Sequence, residues 1–212
     1  MIRLMIDDMY AKMPWDQIDA VVFDVGNVLL KWQTQELLTR LVPERPDLHE
    51  ELTRRIFKSP YWCMRDRGSA TVEEVIDAMS AGNAGIAPYV RRVMEKWIDL
   101  PAIAEGVEAL KKCKARGVRL YALTNYADRE FAYACEKHEF FDLFDGLVVS
   151  ARLRMVKPSL EIYDYLTRTY ELNPARTLFI DDSPANVEAA LHYGWQALCY
   201  NRDGKLSEFF AD

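Results

Sequence analysis

Histidine is scarce in this sequence. The three present (His49, His138 and His192) are far apart, which excludes a metal centre built on imidazole. Cysteine is nearly as sparse. Cys63, Cys113, Cys135 and Cys199 are scattered with no C-x-x-C pair, which reads as reduced, mostly buried thiols of a cytoplasmic protein. No apolar run approaches the roughly 20 residues that span a bilayer, so no membrane association is expected. Repeats and low-complexity tracts are absent as well. The formal net charge of -6 supplies no excess of positive charge for nucleic acid or an anionic membrane. A local cluster of Lys and Arg can still bind an anionic small molecule. The N-terminal stretch, residues 1–18, carries acidic residues close behind a very short apolar segment, unlike a secretory signal. It reads as an extra turn or helix ahead of the first strand, or as a consequence of start-codon choice.

What the sequence does contain is a regular alternation. Short β-branched or apolar runs at 20–25, 119–125, 146–149, 177–181 and 196–200 have the character of buried parallel strands. Between and around them lie helical patterns at about 102–116, 127–138, 159–171 and 184–193. The first places Ile103, Val107, Leu110 and Cys113 on one face and is stopped by Gly117. The last is announced by Ser183-Pro184, a capping residue followed by proline at the first helical position. Strands alternating with helices imply an α/β fold: a Rossmann-like parallel sheet of about five strands with helices on both faces.

One stretch breaks the alternation. From 33 to 100 there are only helix-like segments, at 34–42, 47–58, 71–81 and 88–98, separated by Pro and Gly. The expected organisation is therefore a core formed by 1–32 and 101–212, with 33–100 inserted after the first strand as a small all-helical unit. That position puts it over the strand ends where ligands bind in open α/β sheets, so it reads as a lid.

Polar residues gather at the carboxyl ends of the strands. Asp24 ends the first, Thr124 and Asn125 end the second, and Asp181 and Asp182 end the fourth. A carboxylate at the end of an apolar strand is costly unless it is paired, metal-bound or open to a cleft. Several converging on one edge make a magnesium site the economical explanation, because Mg²⁺ takes oxygen ligands and keeps several waters. Lys157-Pro158 lies on the approach to the helix at 159. The proline keeps Lys157 out of helical geometry and on a loop that can reach the same edge.

In this order the segments Phe23-Asp24-Val25-Gly26-Asn27-Val28-Leu29, Leu123-Thr124-Asn125, Lys157-Pro158 and Phe179-Ile180-Asp181-Asp182-Ser183-Pro184-Ala185-Asn186 resemble the four motifs of the haloacid dehalogenase-like hydrolases. The resemblance runs from about 20 to 200, and the helical insertion has the place of that family's cap. The D-x-G-N-V variant, with Arg65-Asp66-Arg67-Gly68 in the insertion, is similar to the sugar-phosphate phosphatases of the family, such as glucose-1-phosphate phosphatase.

The resemblance implies that Asp24 attacks phosphorus to form an aspartyl-phosphate. Asp24, the Gly26 carbonyl and Asp182 would hold Mg²⁺, with Asp181 a further ligand or an orienter of the shell. Thr124 would hold the phosphoryl oxygens with Asn125 in support, and Lys157 would neutralise the nucleophile and the phosphoryl group. A carboxylate attacks a dianion only when a metal and a lysine cancel the repulsion, so these roles are chemically consistent. Arg65 and Arg67, with Tyr61 and Trp62, form an aromatic and basic cluster suited to a sugar face and extra anionic groups; the alternative is ordinary packing of the two aromatics beside surface arginines. Trp97, at helical spacing with Val93 and Met94, reads as core. The implied ligand is a small phosphorylated metabolite and the implied assembly a monomer or weak homodimer.

One departure matters. Phosphatases of the family usually carry a second aspartate two residues after the nucleophile, and here that residue is Gly26. Glycine offers the metal a carbonyl but the leaving group no proton, a contribution of about 10²–10⁴-fold. Three accounts stay open: an acid lent by the insertion, with Asp66 the nearest candidate; metal-bound water; or lost catalysis and mere binding of a phosphorylated ligand. A 2-haloacid dehalogenase, which also lacks the second aspartate, is a further reading. Against it stand the Gly26-Asn27-Val28 turn and the complete Asp181-Asp182 pair.

Overall fold

The computed structural model describes residues 15–201, 206 and 210. The helix or turn expected over residues 1–18 lies almost wholly outside the described residues.

Five strands form one parallel sheet: β1 Ala20–Phe23, β2 Arg119–Thr124, β3 Gly146–Val149, β4 Thr177–Asp181 and β5 Gln196–Cys199, in the order β3-β2-β1-β4-β5. β1 is central and pairs with β2 from Ala20↔Arg119 to Phe23↔Ala122, and with β4 from Ala20↔Thr177 to Phe23↔Ile180. The sheet is buried on both faces, so its strands need apolar side chains at every position rather than alternately. Val21 and Phe23 belong to one core cluster, with Leu110, Phe131 and Ile180. Ala20 and Val22 belong to the other, with Ile162, Tyr163 and Phe179.

Ten α-helices are present among the described residues. Five lie within 33–100: α1 Thr34–Leu41, α2 His49–Leu52, α3 Pro60–Asp66, α4 Val72–Ser80 and α5 Ala87–Lys96. α6 (Ala104–Ala115) leads into β2, α7 (Asp128–Lys137) follows it, and α8 (Ser150–Leu153) and α9 (Leu160–Thr169) follow β3. α10 (Pro184–Tyr193) joins β4 to β5. The order β1, insertion, then alternating helix and strand makes this a Rossmann-like α/β fold.

The inserted helices bury a cluster of their own, which includes Leu38, Leu52, Ile56, Val75, Met79, Val90 and Met94. α4 opens with a capping box: the Thr71 hydroxyl accepts from the Glu74 N–H, while the Glu74 carboxylate accepts from the Thr71 N–H. Pro60, which separates segments on a sequence reading, stands instead at the start of α3, where a missing N–H costs nothing.

Two glycines set how closely the parts approach. Gly106 in α6 packs against the loop after β1, and a β-carbon there would lie 1.9 Å from the Val28 carbonyl oxygen. Gly68 follows α3 with a φ of 69°, and a β-carbon there would come within 2.5 Å of the Ala151 carbonyl oxygen in α8. The glycine of Arg65-Asp66-Arg67-Gly68 thus lets the insertion seat on the sheet's edge.

Candidate active site

β1 and β4 are adjacent and parallel, so Asp24 and Asp181 leave the sheet side by side at its carboxyl edge. The Asp24 N–H donates to the Ile180 carbonyl at 2.8 Å and continues the pairing one residue past β1. β2 brings Thr124 to the same edge. Asp24, Asp181 and Asp182 each offer an oxygen, and the three lie within 4.8 Å of one another.

Lys157 is buried at this point, its ammonium 2.8 Å from Asp24 Oδ1 and 2.7 Å from Asp181 Oδ2. The Val25 N–H donates to the same Asp24 Oδ1 at 2.7 Å. One oxygen of Asp24 is therefore held twice, while Oδ2 has no hydrogen-bond partner among the described residues. Asp181 is fully buried and its oxygens also accept from the Ser183 N–H and from the Asn186 side chain. That saturation fits an orienter of Lys157 better than an ion ligand.

Asn125 likewise turns away from the role of phosphate support. Its Nδ2 donates to the Lys157 carbonyl at 2.9 Å and its Oδ1 accepts from the Lys157 N–H at 2.8 Å, so it clamps the lysine loop. Asn27, in the left-handed region at a φ of 56°, donates to Asp182 Oδ2 at 2.8 Å and accepts from the Trp32 N–H. Asparagine tolerates that backbone better than other residues with side chains. The positioning roles of Asn27 and Asn186 escape a sequence reading, although both stand inside the motifs; an Asn directly after Gly26 is the one local signal.

Charge is unbalanced here. Three carboxylates face one ammonium, a formal surplus of two negative charges. Burial, with the charges of Asp181 and Asp182, pushes the Asp24 carboxyl up to about 7 against the pull of Lys157. Burial raises Asp182 as well, opposed by the hydrogen bond from Asn27. Lys157 is raised: its two carboxylate partners outweigh the desolvation that would lower it. An all-oxygen set with two excess negative charges fits a hard divalent cation. Asp24 and Asp182, whose oxygens lie within 4.8 Å of each other and of Asp181, line the cavity together with Gly26.

The edge opens into a cavity of about 230 Å³ lined by both parts of the molecule. Asp24, Gly26, Asn27, Thr124, Asn125, Lys157, Asp182 and Asn186 form its polar floor. Trp32, Trp62, Trp97, Leu100 and Tyr126 form a largely apolar wall, and Asp66 joins them from the end of α3. The three tryptophans touch pairwise, with centroids 5.1–5.3 Å apart, and Tyr126 lies 5.5 Å from Trp97. Trp97 is buried as its spacing suggests, yet it also faces the cavity.

The arginines are a correction. Arg65 does not reach the floor; its guanidinium is buried in an ion pair with Glu130 of α7 and lies over the rings of Trp97 (5.1 Å) and Trp62 (5.7 Å). Arg67 is exposed and outside the cavity lining. A partner as remote in sequence as Glu130 leaves no local signal, so Arg65 looks free when only its neighbours are read.

Comparison with known proteins shows the family and the fold. The family model of the haloacid dehalogenase-like hydrolases matches residues 18–194. A sesquiterpene phosphatase of Aspergillus oryzae, astK, is 31% identical over 183 residues, covering 84% of this chain and 88% of that protein. The crystal structure of a HAD family enzyme from Bacteroides thetaiotaomicron superposes with a TM-score of 0.71 at 20% identity, over 92% of this chain and 99% of the other. That enzyme has also been solved with magnesium and inorganic phosphate. A dehalogenase superposes almost as well, with a TM-score of 0.70 at 21% identity over 89% of this chain and 87% of the other. At those identities the likeness shows the fold and leaves the reaction to be decided by the site.

Proposed function

The chain is a haloacid dehalogenase-like hydrolase, and from that premise we propose that it is a Mg²⁺-dependent phosphatase of small phosphate monoesters, with Asp24 as nucleophile. The observation that carries the reading is the ion-paired group Asp24–Lys157–Asp181 with Asp182 beside it at the sheet edge. Without a cation three carboxylates face one ammonium, a surplus that burial penalises and that holds Asp24 and Asp182 above the usual carboxylate range. A divalent cation together with a phosphoryl group accounts for the whole set.

Each residue then has a task. Asp24 Oδ2 attacks phosphorus while Oδ1 stays fixed by Lys157 and the Val25 N–H. Lys157 offsets the repulsion between carboxylate and phosphoryl oxygens and is aimed by Asp181 and Asn125. Thr124, at the end of β2, contacts the phosphoryl oxygens. Asp24, the Gly26 carbonyl and Asp182 hold Mg²⁺, which when bound supplies charge neutralisation and orientation of the phosphoryl group. The inserted helices, residues 33–100, act as a cap that covers the organic part of the substrate.

For that organic part the wall favours an apolar group over a sugar. Trp32, Trp62, Trp97, Leu100 and Tyr126 offer rings and methyl groups, and Arg65, the cation expected for further anionic groups, is spent on Glu130. The sesquiterpene phosphatase relative is in keeping with this. Phosphate release should be measured on paired aliphatic and sugar monoesters, with Mg²⁺ and with EDTA. The expected result is Mg²⁺-dependent release, faster from apolar esters and abolished by Asp24→Asn. Phosphate binding with no release from any ester would replace the reading by a non-catalytic one, and halide release from 2-haloacids in EDTA by a dehalogenase.

A further inference from the structure

The phosphatase reading leaves the leaving group without a proton donor. A side chain at position 26 would meet nothing within 4 Å, so this part of the cavity is open and the glycine leaves it without an acid. On the wall of the same cavity stands one carboxyl outside the ion-paired group, that of Asp66, carried in by the inserted helices.

Its placement is well built. Asp66 is the last residue of α3, and its backbone carbonyl accepts from the hydroxyl of the fully buried Ser150 at the start of α8. The same hydroxyl accepts from the Tyr126 N–H at 2.9 Å, which ties the end of α3 to the loop after β2. Gly68, two residues on, permits the close seat against Ala151. Trp62, one of the cavity rings, stands one turn before Asp66 on the same helix and lines the same cavity. Neighbouring charges are Arg65 on its own helix and Glu130 on α7, and the buried Tyr126 hydroxyl, close enough to feel the Asp66 charge, has no hydrogen-bond partner among the described residues.

We propose that Asp66 is the catalytic acid and base of the reaction, acting from the cap in place of the residue that Gly26 cannot supply. The inference rests on the phosphatase reading. In the first half-reaction Asp24 forms a bond to phosphorus as the bond from phosphorus to the ester oxygen breaks, and Asp66 gives its proton to that oxygen, releasing the alcohol. In the second, the Asp66 carboxylate takes a proton from water, whose oxygen bonds to phosphorus as the aspartyl-phosphate bond breaks. Inorganic phosphate leaves, and both aspartates return to their starting states. In support, burial pushes the Asp66 carboxyl up to about 7 despite the neighbouring Arg65 and Trp62, which suits a group that both donates and accepts near neutrality.

The test compares the Mg²⁺-loaded full-length enzyme with its Asp66→Asn and Asp66→Glu variants on an alkyl phosphate and on p-nitrophenyl phosphate. Asp66→Asn should lower alkyl ester turnover by about 10²–10⁴-fold. With p-nitrophenyl phosphate, whose leaving group needs no proton, it should give a stoichiometric burst of nitrophenolate and then slow turnover as phospho-enzyme accumulates. Asp66→Glu should restore part of the alkyl ester rate. The burst shows at once that the variant is folded and that Asp24 still reacts. Equal loss on both esters without a burst, or no loss on either, overturns the role of Asp66. Absence of phosphate release from the unaltered enzyme on both esters would instead overturn the phosphatase reading, and this role with it.

Discussion

Lys157 shows how much one side chain can settle. It is buried with two carboxylates on its ammonium, and its backbone is clamped on both sides by Asn125. Lys157→Met removes the cation that lets a carboxylate approach a phosphoryl group and should lower kcat by about 10²–10³-fold, as loss of a preorganised charge stabiliser does elsewhere. Activity within tenfold of the parent would show that the lysine is structural. Asp66 gives a prediction in pH. Its carboxyl is raised from 3.8 to about 7 by burial, opposed by Arg65 and Trp62 and reinforced by Glu130. The protonated donor therefore persists through the weakly acidic range and is lost as pH rises past about 7. The alkyl ester rate should fall on that basic side, and Asp66→Asn should erase the limb. An unchanged profile in the variant would assign the limb elsewhere. At this scale the sequence reading and the structure agree on the positions and differ on duties. Asp24, Thr124, Lys157 and Asp182 meet as their motifs imply. Asn125 and Asp181 serve the lysine, and Arg65 is absent from the floor, because hydrogen-bond partners far along the chain are invisible in a linear pattern.

Among elements, the contact that matters most is between α3 of the insertion and α7 beside the sheet. Arg65 and Glu130 are almost fully buried, with side-chain exposures of 2% and 5%. Removing one member of such a pair leaves a charge without compensation, so Glu130→Gln should cost about 3–5 kcal/mol, read as a lower denaturant midpoint. An unchanged midpoint would mean that the stacked indoles alone support the arginine. Gly106→Ala tests the packing of α6 on the loop after β1. A β-carbon has no room beside the Val28 carbonyl, so one of the two must shift, at about 1–3 kcal/mol. Because that loop carries Asp24 and Gly26, activity should fall further than stability, and a variant with full activity would contradict the coupling. The strands and most helices are legible in the sequence, since β-branched runs and capping residues are local signals. α3 and α8 are not. Pro60 looks like a break when it is a first-turn proline, and α8 has only four residues.

For the molecule as a whole, the sheet edge supplies the charge together with Trp32 and Tyr126, and the insertion supplies Trp62, Trp97, Leu100 and Asp66. Neither part holds the complete site. Of the wall only Trp62 is read from the sequence as facing a ligand; Trp97 reads as core, and Trp32 and Tyr126 come from separate segments that carry no local signal. The central claim is that a phosphoryl group passes through Asp24, and rapid acid quench of the Mg²⁺-loaded enzyme during turnover of a labelled monoester tests it most directly. The account predicts a hydroxylamine-labile phosphoryl adduct on the peptide containing Asp24, more abundant in Asp66→Asn and absent from Asp24→Asn. Steady release of phosphate with no adduct on that peptide, in either the parent or Asp66→Asn, would contradict it.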